Sequence, residues 1–542
     1  MWQRSILEAV RMAKERGLCL YGAGFWGRVA YDVFNKLGLE ATCFCDDDIQ
    51  KQNSQCCGRD VLSLEDACAK YPKAVYIPCI DVTKKVGTWN RLPYHHMLQR
   101  LKECNVYDSN SELRILMYVF LLDLDEEKQK GYKMPDDCIK IDYIKNLLIL
   151  NHMSNSGSYY MEQLLDGHPE ILSLPYSGQT FWSVYKERLQ YLEGQELLYE
   201  MMAQMLGYLH SKYEYLFCVR EHHFEEYCVD KNGEFISDVL VDPNQFYQYL
   251  KNQFSEDQEI RLKSYSHMLK IYVTAYNNCL NKKGISQNLW LFYHMHMPEF
   301  DLSKTADFFG TEEFERIENL IIIREPVQQC YSWIKRMVLV QKRNTFLKKG
   351  ELFTDILKCE MGMTLQKKSE VLKVKVIRFE DLKFDSQNTL KALCEWLNIS
   401  YLDILLSTTL NGITIYFPTY TKDGVKYITG NDMSAVAKKD FSEIFTLWDE
   451  ARLNMIYAKF KHAYGYECSA PDFDSFSEET RTELLSENFK FCDLVQQVLD
   501  EYGLSQDHYD VNEYVKNLYK TYMDNYQENI EYYDYIKPKA GE

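Results

Sequence analysis

The stretch Asn146-Leu-Leu-Ile-Leu-Asn-His-Met-Ser-Asn-Ser-Gly-Ser-Tyr-Tyr-Met-Glu-Gln-Leu-Leu-Asp-Gly-His-Pro169 decides how the chain is read. Leu147 to Leu150 form a short apolar run, the pattern of a buried strand. Ser154, Asn155, Ser156, Gly157, Ser158 and Tyr159 follow as a polar turn, with one glycine to bend the backbone. Met161, Leu164 and Leu165 then recur at helical spacing, and Gly167 before Pro169 ends the helix. A strand, a tight polar loop and a helix N-terminus make an anion site. Backbone N–H groups and the positive end of the helix dipole face whatever sits in the loop. Ser156 and Ser158 add hydroxyl donors.

The ATP-type phosphate loop needs four residues between its glycines and then Lys-Ser/Thr, and no such string occurs. The stretch instead resembles the 5′-phosphosulfate loop of the sulfotransferases. There a basic residue, Ser or Thr, Gly, then Thr or Ser opens a helix that ends near a His-Pro-Glu-Ile motif. Asn155-Ser156-Gly157-Ser158 and Leu165 to Ile171 match, with Asn155 standing where the family carries Arg or Lys.

Two further segments carry the resemblance. Asn319-Leu-Ile-Ile-Ile-Arg324-Glu-Pro326 reads as a buried strand with Arg324 at its carboxyl end, where open α/β sheets bind ligands. Pro326 suits a first helical turn, and Ser332 lies eight residues past Arg324. This spacing is similar to the family's 3′-phosphate site, with Arg as a planar fork and Ser as a hydroxyl donor. Val374 to Leu382, with Glu380 and Asp381, and Thr389 to Leu397 resemble the family's following strand and helix. Those residues are expected to be structural, Leu382 and Trp396 as core and the two acids as cap or network groups.

Asn288 to Tyr293 reads as a strand leading to His294-Met-His296-Met-Pro298. In the family a His-x-Pro at this place supplies the base that deprotonates the acceptor, and His296 matches it. Some branches use a carboxylate, for which Glu162, Glu170 and Glu299 are the candidates. Lys422, Lys426, Lys438 and Lys439 fall where the family has a loop over the adenine and 3′-phosphate.

The N-terminal part alternates β and α, which calls for a parallel sheet. Leu18 to Tyr21, Gly22-Ala-Gly24-Phe-Trp-Gly27 and a helix carrying Val29, Val33 and Phe34 precede a strand from Ala41 to Cys45. Gly22, Gly24 and Gly27 fit the dinucleotide fingerprint, and Asp46 sits about twenty residues on, placed to accept a ribose hydroxyl. The segment resembles short domains attached to bacterial sugar-modifying enzymes. Nucleotide or nucleotide-sugar binding, NAD chemistry and a scaffold role stay open. Residues 122–138 have a linker composition. Residues 175–285 read as a helical insertion, in which His222, His223, Glu225 and Glu226 read as a solvated helix face. Residues 471–542 form an acidic, tyrosine-rich helical tail, a candidate for packing on the core or for self-association.

The chain has 542 residues and a net charge of −18. That balance argues against nonspecific nucleic-acid or anionic-membrane binding. The longest apolar run, residues 115–124, is about half a bilayer span. The N-terminus lacks the apolar core of a signal peptide. The 17 cysteines are scattered, with no CxxC pair, so neither a zinc framework nor a disulfide scaffold is expected. Reduced thiols in a cytoplasmic protein fit this pattern.

The expected fold is α/β: a Rossmann-like domain over 1–130, a sulfotransferase-type domain over 140–468, and the tail. The resemblance implies 3′-phosphoadenosine 5′-phosphosulfate as donor and transfer of its sulfuryl group to a hydroxyl or amine, with a glycan as the acceptor by analogy. Ser154 to Tyr159 would hold the 5′-phosphosulfate, with Asn155 and Ser158 at the reacting group. Arg324 and Ser332 would hold the 3′-phosphate, and His296 would take the proton. The missing loop cation leaves a second class open, a donor-binding protein with decayed activity. A third is a nucleotide-sugar or NAD-linked enzyme run by the first domain.

Overall fold

The computed structural model describes residues 13–36, 38–79, 97, 100–106, 138–152, 156–174, 229–234, 236, 243–256, 264–280, 288–295, 309–310, 312–335, 374–421, 424–429, 440–468, 475–501, 513, 516–517 and 532–539. Two compact units share the chain. The first gathers Met1–Ile144, Leu172–Gln287 and Asn411–Tyr427; the second gathers Lys145–Ile171, Asn288–Leu410 and Ile428–Glu542.

In the first unit β1 (Leu18–Tyr21) leads through the glycine turn into α1 (Phe25–Lys36) and β2 (Ala41–Cys45). A hairpin of β3 (Ser54–Cys56) and β4 (Arg59–Leu62) follows, then α2 (Leu64–Lys70) and β5 (Val75–Pro78). The sheet order is β3-β4-β2-β1-β5. β1 lies parallel between β2 and β5, so the chain leaves β1 toward one side and returns on the other. The glycine turn therefore sits at the reversal of strand order, where doubly wound sheets bind ligands. Composition hides the β3–β4 hairpin. Its turn residues Cys57 and Gly58 both have positive φ, 52° and 72°, as a two-residue primed turn requires, but cysteine is not a residue that announces one. The core beneath is made by Cys19, Tyr21, Cys43, Leu64, Ala67, Tyr76 and Leu101. In the expected helical insertion, the helices Pro243–Glu256 and Tyr265–Cys279 pack on each other, with Phe246 edge-on to Tyr276.

The second unit is built on the quoted stretch. β6 (Ile144–His152) enters α3 (Ser158–Asp166), and β7 (Ile171–Ser173) follows. Then come β8 (Leu289–Met295), β9 (Arg316–Ile323) and α4 (Pro326–Ile334). β10 (Val374–Arg378) runs straight into α5 (Phe379–Phe384) and α6 (Ser386–Leu397). Later elements are α7 (Leu447–Ile456), α8 (Ala458–Ala463) and a short β11 (Asp534–Tyr535). The order is β11-β10-β9-β6-β8-β7, with β6, β9, β10 and β11 parallel.

β9 shows why its apolar run is unbroken. Leu320 and Ile322 face one core with Leu148, Leu150, Met161, Leu164 and Leu393. Ile321 and Ile323 face the other with Val376, Phe460, Tyr464 and Tyr466. A strand covered on both faces has no polar side to alternate with. The end of the tail belongs to this second core. Asp534 and Tyr535 pair with Lys375 and Val376, and Tyr533 is buried beside them. Gly167 does end α3, but with φ −77° rather than a left-handed turn. A Cβ there would meet Ile404 at 2.8 Å, so packing selects the glycine.

The glycine turn of the first unit gives a stability test. A Cβ at Gly27 would lie 1.8 Å from the Gly22 carbonyl oxygen. Gly27→Ala is therefore expected to destabilise the first unit by about 2–4 kcal/mol, read as an earlier transition of that unit in urea unfolding.

Candidate functional site: the crevice between β6 and β9

From β6 the chain moves to β7 on one side of the sheet, and from β9 it moves to β10 on the other. The carboxyl ends of β6 and β9 thus flank a topological switch point, the usual ligand crevice of an open α/β sheet. The register places His152, the last residue of β6, opposite Ile322, two residues before Arg324. The polar loop and Arg324 leave neighbouring strands at the same edge.

Gly157 caps α3 in the left-handed conformation, φ 96° and ψ 18°. A glycine cap brings no side-chain acceptor of its own to the first-turn N–H groups. Ser156 is buried and Ser158, the first helical residue, nearly so. Glycine is required by space as well as by φ, since a Cβ would lie 2.1 Å from Cδ2 of Phe379.

Phe379, the first residue of α5 just past β10, ties the crevice together. Its ring abuts Gly157, stands edge-on to Tyr160 at 5.9 Å, and lies 5.3 Å from the Arg324 guanidinium carbon. The loop glycine and Arg324 are therefore two contacts of a single ring. Lys383 adds a cation 3.6 Å over the Tyr160 ring.

Arg324 is buried, and burial pulls its pKa below the ordinary guanidinium value, with Glu380 and Glu325 opposing. The acids around it are organised. Glu380 accepts hydrogen bonds from the Glu325 N–H at 2.9 Å and the Tyr466 hydroxyl at 2.9 Å. Burial still raises its pKa above the usual carboxylate range. Glu325 caps α4 through the Gln328 N–H at 2.6 Å and pairs with Lys461 at 2.7 Å. Pro326 opens α4, and Ser332 lies partly exposed two turns on. These acids are network groups whose charge favours the buried guanidinium.

A second cluster lies at the ends of β6 and β8. His294 Nδ1 is 2.5 Å from Glu162 Oε2, and the His152 ring meets the His294 ring edge-on at 4.8 Å. Of the other carboxylate candidates, Glu170 accepts the Ser400 N–H at 3.1 Å. His168 holds the same residue, its Nε2 2.7 Å from the Ser400 carbonyl. The His-Pro-Glu motif therefore serves as a structural clasp.

In the first unit Gly22, Gly24, Gly27 and Asp46 come together in their own turn. Gly22 has φ 114°, and a Cβ on it would lie 2.8 Å from the Cys79 carbonyl oxygen, whereas Gly24 has open space around it. Asp46 is committed to the turn. Its Oδ2 accepts the Ala23 N–H at 2.7 Å and meets Lys51 Nζ at 3.2 Å, and its Oδ1 accepts the Asp48 N–H at 2.9 Å.

Of the residues expected at the donor site, Ser156, Gly157, Ser158, Tyr159 and Arg324 line the one crevice edge, with Ser332 on the helix that follows. Ser154, Asn155, His296, Glu299, Lys422, Lys438 and Lys439 lie outside the described residues, and Lys426 is exposed. Sequence reasoning missed the central role of Phe379 and the pairing of His294 with Glu162. Phe379 precedes the Glu380-Asp381 pair, the one signal that pointed near it. Among the described residues no group of three or more His, Cys, Asp or Glu is placed to hold a metal, and no helix is long and apolar enough to cross a membrane.

The sheet defines an α/β protein whose parallel strands β6 and β9 end together at a topological switch point. Three solved structures are similar to it in part. One is the sulfotransferase domain of the Synechococcus PCC 7002 olefin synthase, 12% identical over 72% of this chain and 98% of that one, with TM-score 0.25. Another is the sulfotransferase domain of the curacin biosynthetic pathway, 12% identical over 67% and 99%, with TM-score 0.27. A third is the sulfotransferase STF9 of Mycobacterium avium, 12% identical over 66% and 84%, with TM-score 0.28. No family model and no curated protein matches the chain.

Two outcomes follow from this geometry. Gly157→Ala combines a left-handed φ with a ring collision and is expected to cost roughly 2–4 kcal/mol of stability, measured as a lowered urea midpoint. Asp381 accepts a hydrogen bond from the Tyr535 hydroxyl and lies 3.7 Å from Arg378, yet burial pushes its pKa up to about 6. A raised carboxyl pKa means the fold favours the neutral acid. That contribution is full below the unfolded value near 4 and is lost as pH rises through 6. Asp381→Asn should match the parent near pH 4 and exceed it at pH 8 by on the order of 1 kcal/mol after solvent screening, read from urea midpoints at the two pH values.

Proposed function

We propose that the second unit binds 3′-phosphoadenosine 5′-phosphosulfate in the β6–β9 crevice and transfers its sulfuryl group to a hydroxyl or amine, with a carbohydrate as the acceptor class. The observation that carries this reading is the shared ring. Phe379 touches the cap of α3 on one side and Arg324 on another, so the two elements proposed to hold anions stand one aromatic ring apart. A nucleoside carrying an anion at each end of its ribose matches that layout.

The chain's residues divide the work. First-turn N–H groups of α3, with Ser156 and Ser158, hold the 5′-phosphosulfate and stabilise the charge that builds on the leaving phosphate oxygen. The Arg324 fork and the Ser332 hydroxyl hold the 3′-phosphate. A histidine at the end of β8, His294 or His296, takes the acceptor's proton. The first unit, with open space at Gly24, fits a nucleotide's phosphates, while the engagement of Asp46 within its own turn speaks against a dinucleotide ribose there.

Calorimetry with 3′-phosphoadenosine 5′-phosphate tests the donor site. Saturable one-to-one binding is expected. Arg324→Ala should weaken it by roughly ten- to a hundredfold, as loss of a charge-assisted pair does. Gly24→Ala should leave it unchanged. Absence of binding by the parent chain overturns the reading. Labelled donor with a glycan panel then separates transfer from donor binding alone.

A further inference from the structure

The Glu162–His294 pair is more than the donor site needs, and its placement gives it a role. The side chains are only 6% and 2% exposed. Burying a carboxylate costs several kcal/mol unless it is paired and hydrogen-bonded, so an apolar residue would serve packing better. Glu162 lies on α3 four residues past Ser158, about one helical turn below the donor loop. The helix that offers its N-terminus to the anion also carries the acid that holds His294. Across the sheet, β8 and β6 are neighbours, which sets His294 beside His152, the last strand residue before the loop. Phe292 flanks the His294 ring at 6.4 Å.

With Glu162 ionised, the contact selects one tautomer. A carboxylate only accepts, so Nδ1 of His294 carries the hydrogen and Nε2 is the nitrogen that takes a proton. We propose that Glu162 is a positioning residue for His294, and that His294 rather than His296 is the base of the transfer. The inference rests on the donor reading given above. In the step, the acceptor O–H bond breaks and its proton passes to Nε2. The acceptor oxygen bonds to sulfur as the sulfur–oxygen bond to the 5′-phosphate breaks, and that phosphate keeps the electron pair. The imidazolium so formed faces the Glu162 carboxylate.

The test compares Glu162→Gln, His294→Gln and His296→Asn in the full chain. Three kinds of measurement are made: affinity for 3′-phosphoadenosine 5′-phosphate, kcat and KM for release of labelled sulfuryl from the donor to water or a panel glycan, and the imidazole N–H lines in ¹⁵N-histidine spectra. Wild type should show a far-downfield Nδ1–H line that His294→Gln removes. Glu162→Gln should keep bisphosphate affinity within about threefold and lower kcat by roughly ten- to a hundredfold with KM unchanged. A packing role alone would leave kcat where it was in the folded variant. Wild-type kcat in Glu162→Gln overturns the proposal. So does loss of turnover confined to His296→Asn, or a wild type that binds the bisphosphate but turns nothing over. If Glu162→Gln does not fold, His294→Gln carries the kinetic comparison. If neither folds, absence of the downfield line in wild type overturns it. Failure of wild type to bind the bisphosphate sinks the donor reading first and this inference with it.

Discussion

The contact of the Phe379 ring with the α-carbon of Gly157 is the constraint on which the second unit's crevice depends. It demands a glycine twice, once for a left-handed cap and once for room. It sets the first turn of α3 against the end of β10. It also gives Arg324 a flat surface to lie on, so that a buried guanidinium is held by a ring and by a network of acids. If that ring is moved, the loop loses its wall and Arg324 its floor.

The acids near Arg324 illustrate how charge is managed in this interior. Glu380 and Glu325 answer the guanidinium, while Tyr466 and Lys461 answer the acids in turn. Charge is answered by neighbouring charge and by the hydrogen bonds of Glu380 and Glu325. The Glu162–His294 pair follows the same logic on the other side of β6, with the difference that a histidine can give and take a proton. A sheet with four parallel strands brings these groups together because parallel strands share one carboxyl edge.

Much of this was legible in the chain. Apolar runs at 147–150, 289–293 and 320–323 marked strands, since strands buried on both faces show no alternation to confuse them. The proline at 326 marked a helix start, and the spacing of Gly22, Gly24 and Gly27 marked a turn. Less was legible where side chains act outside their statistical role. The β3–β4 hairpin turned on a cysteine with positive φ. Asp46, placed as a ribose acceptor, serves the turn's own N–H groups. The strand at 534–535 is too short to show a period, and it exists because Val376 and its neighbours had an open edge.

The amino-acid order alone determined the long buried strands, that their ends carry a Ser-Gly-Ser turn and an arginine, and that the fold is α/β. These are local facts, set by hydrophobic period, backbone freedom and the proline ring. Only the tertiary structure decided which of those ends meet. Strand order, not strand identity, puts β6 beside β9, and Phe379, more than two hundred residues from the loop, becomes its wall. It also decided that Glu162 reaches His294, 132 residues away. Partnership across such distances is fixed by packing and burial, which no window of sequence contains.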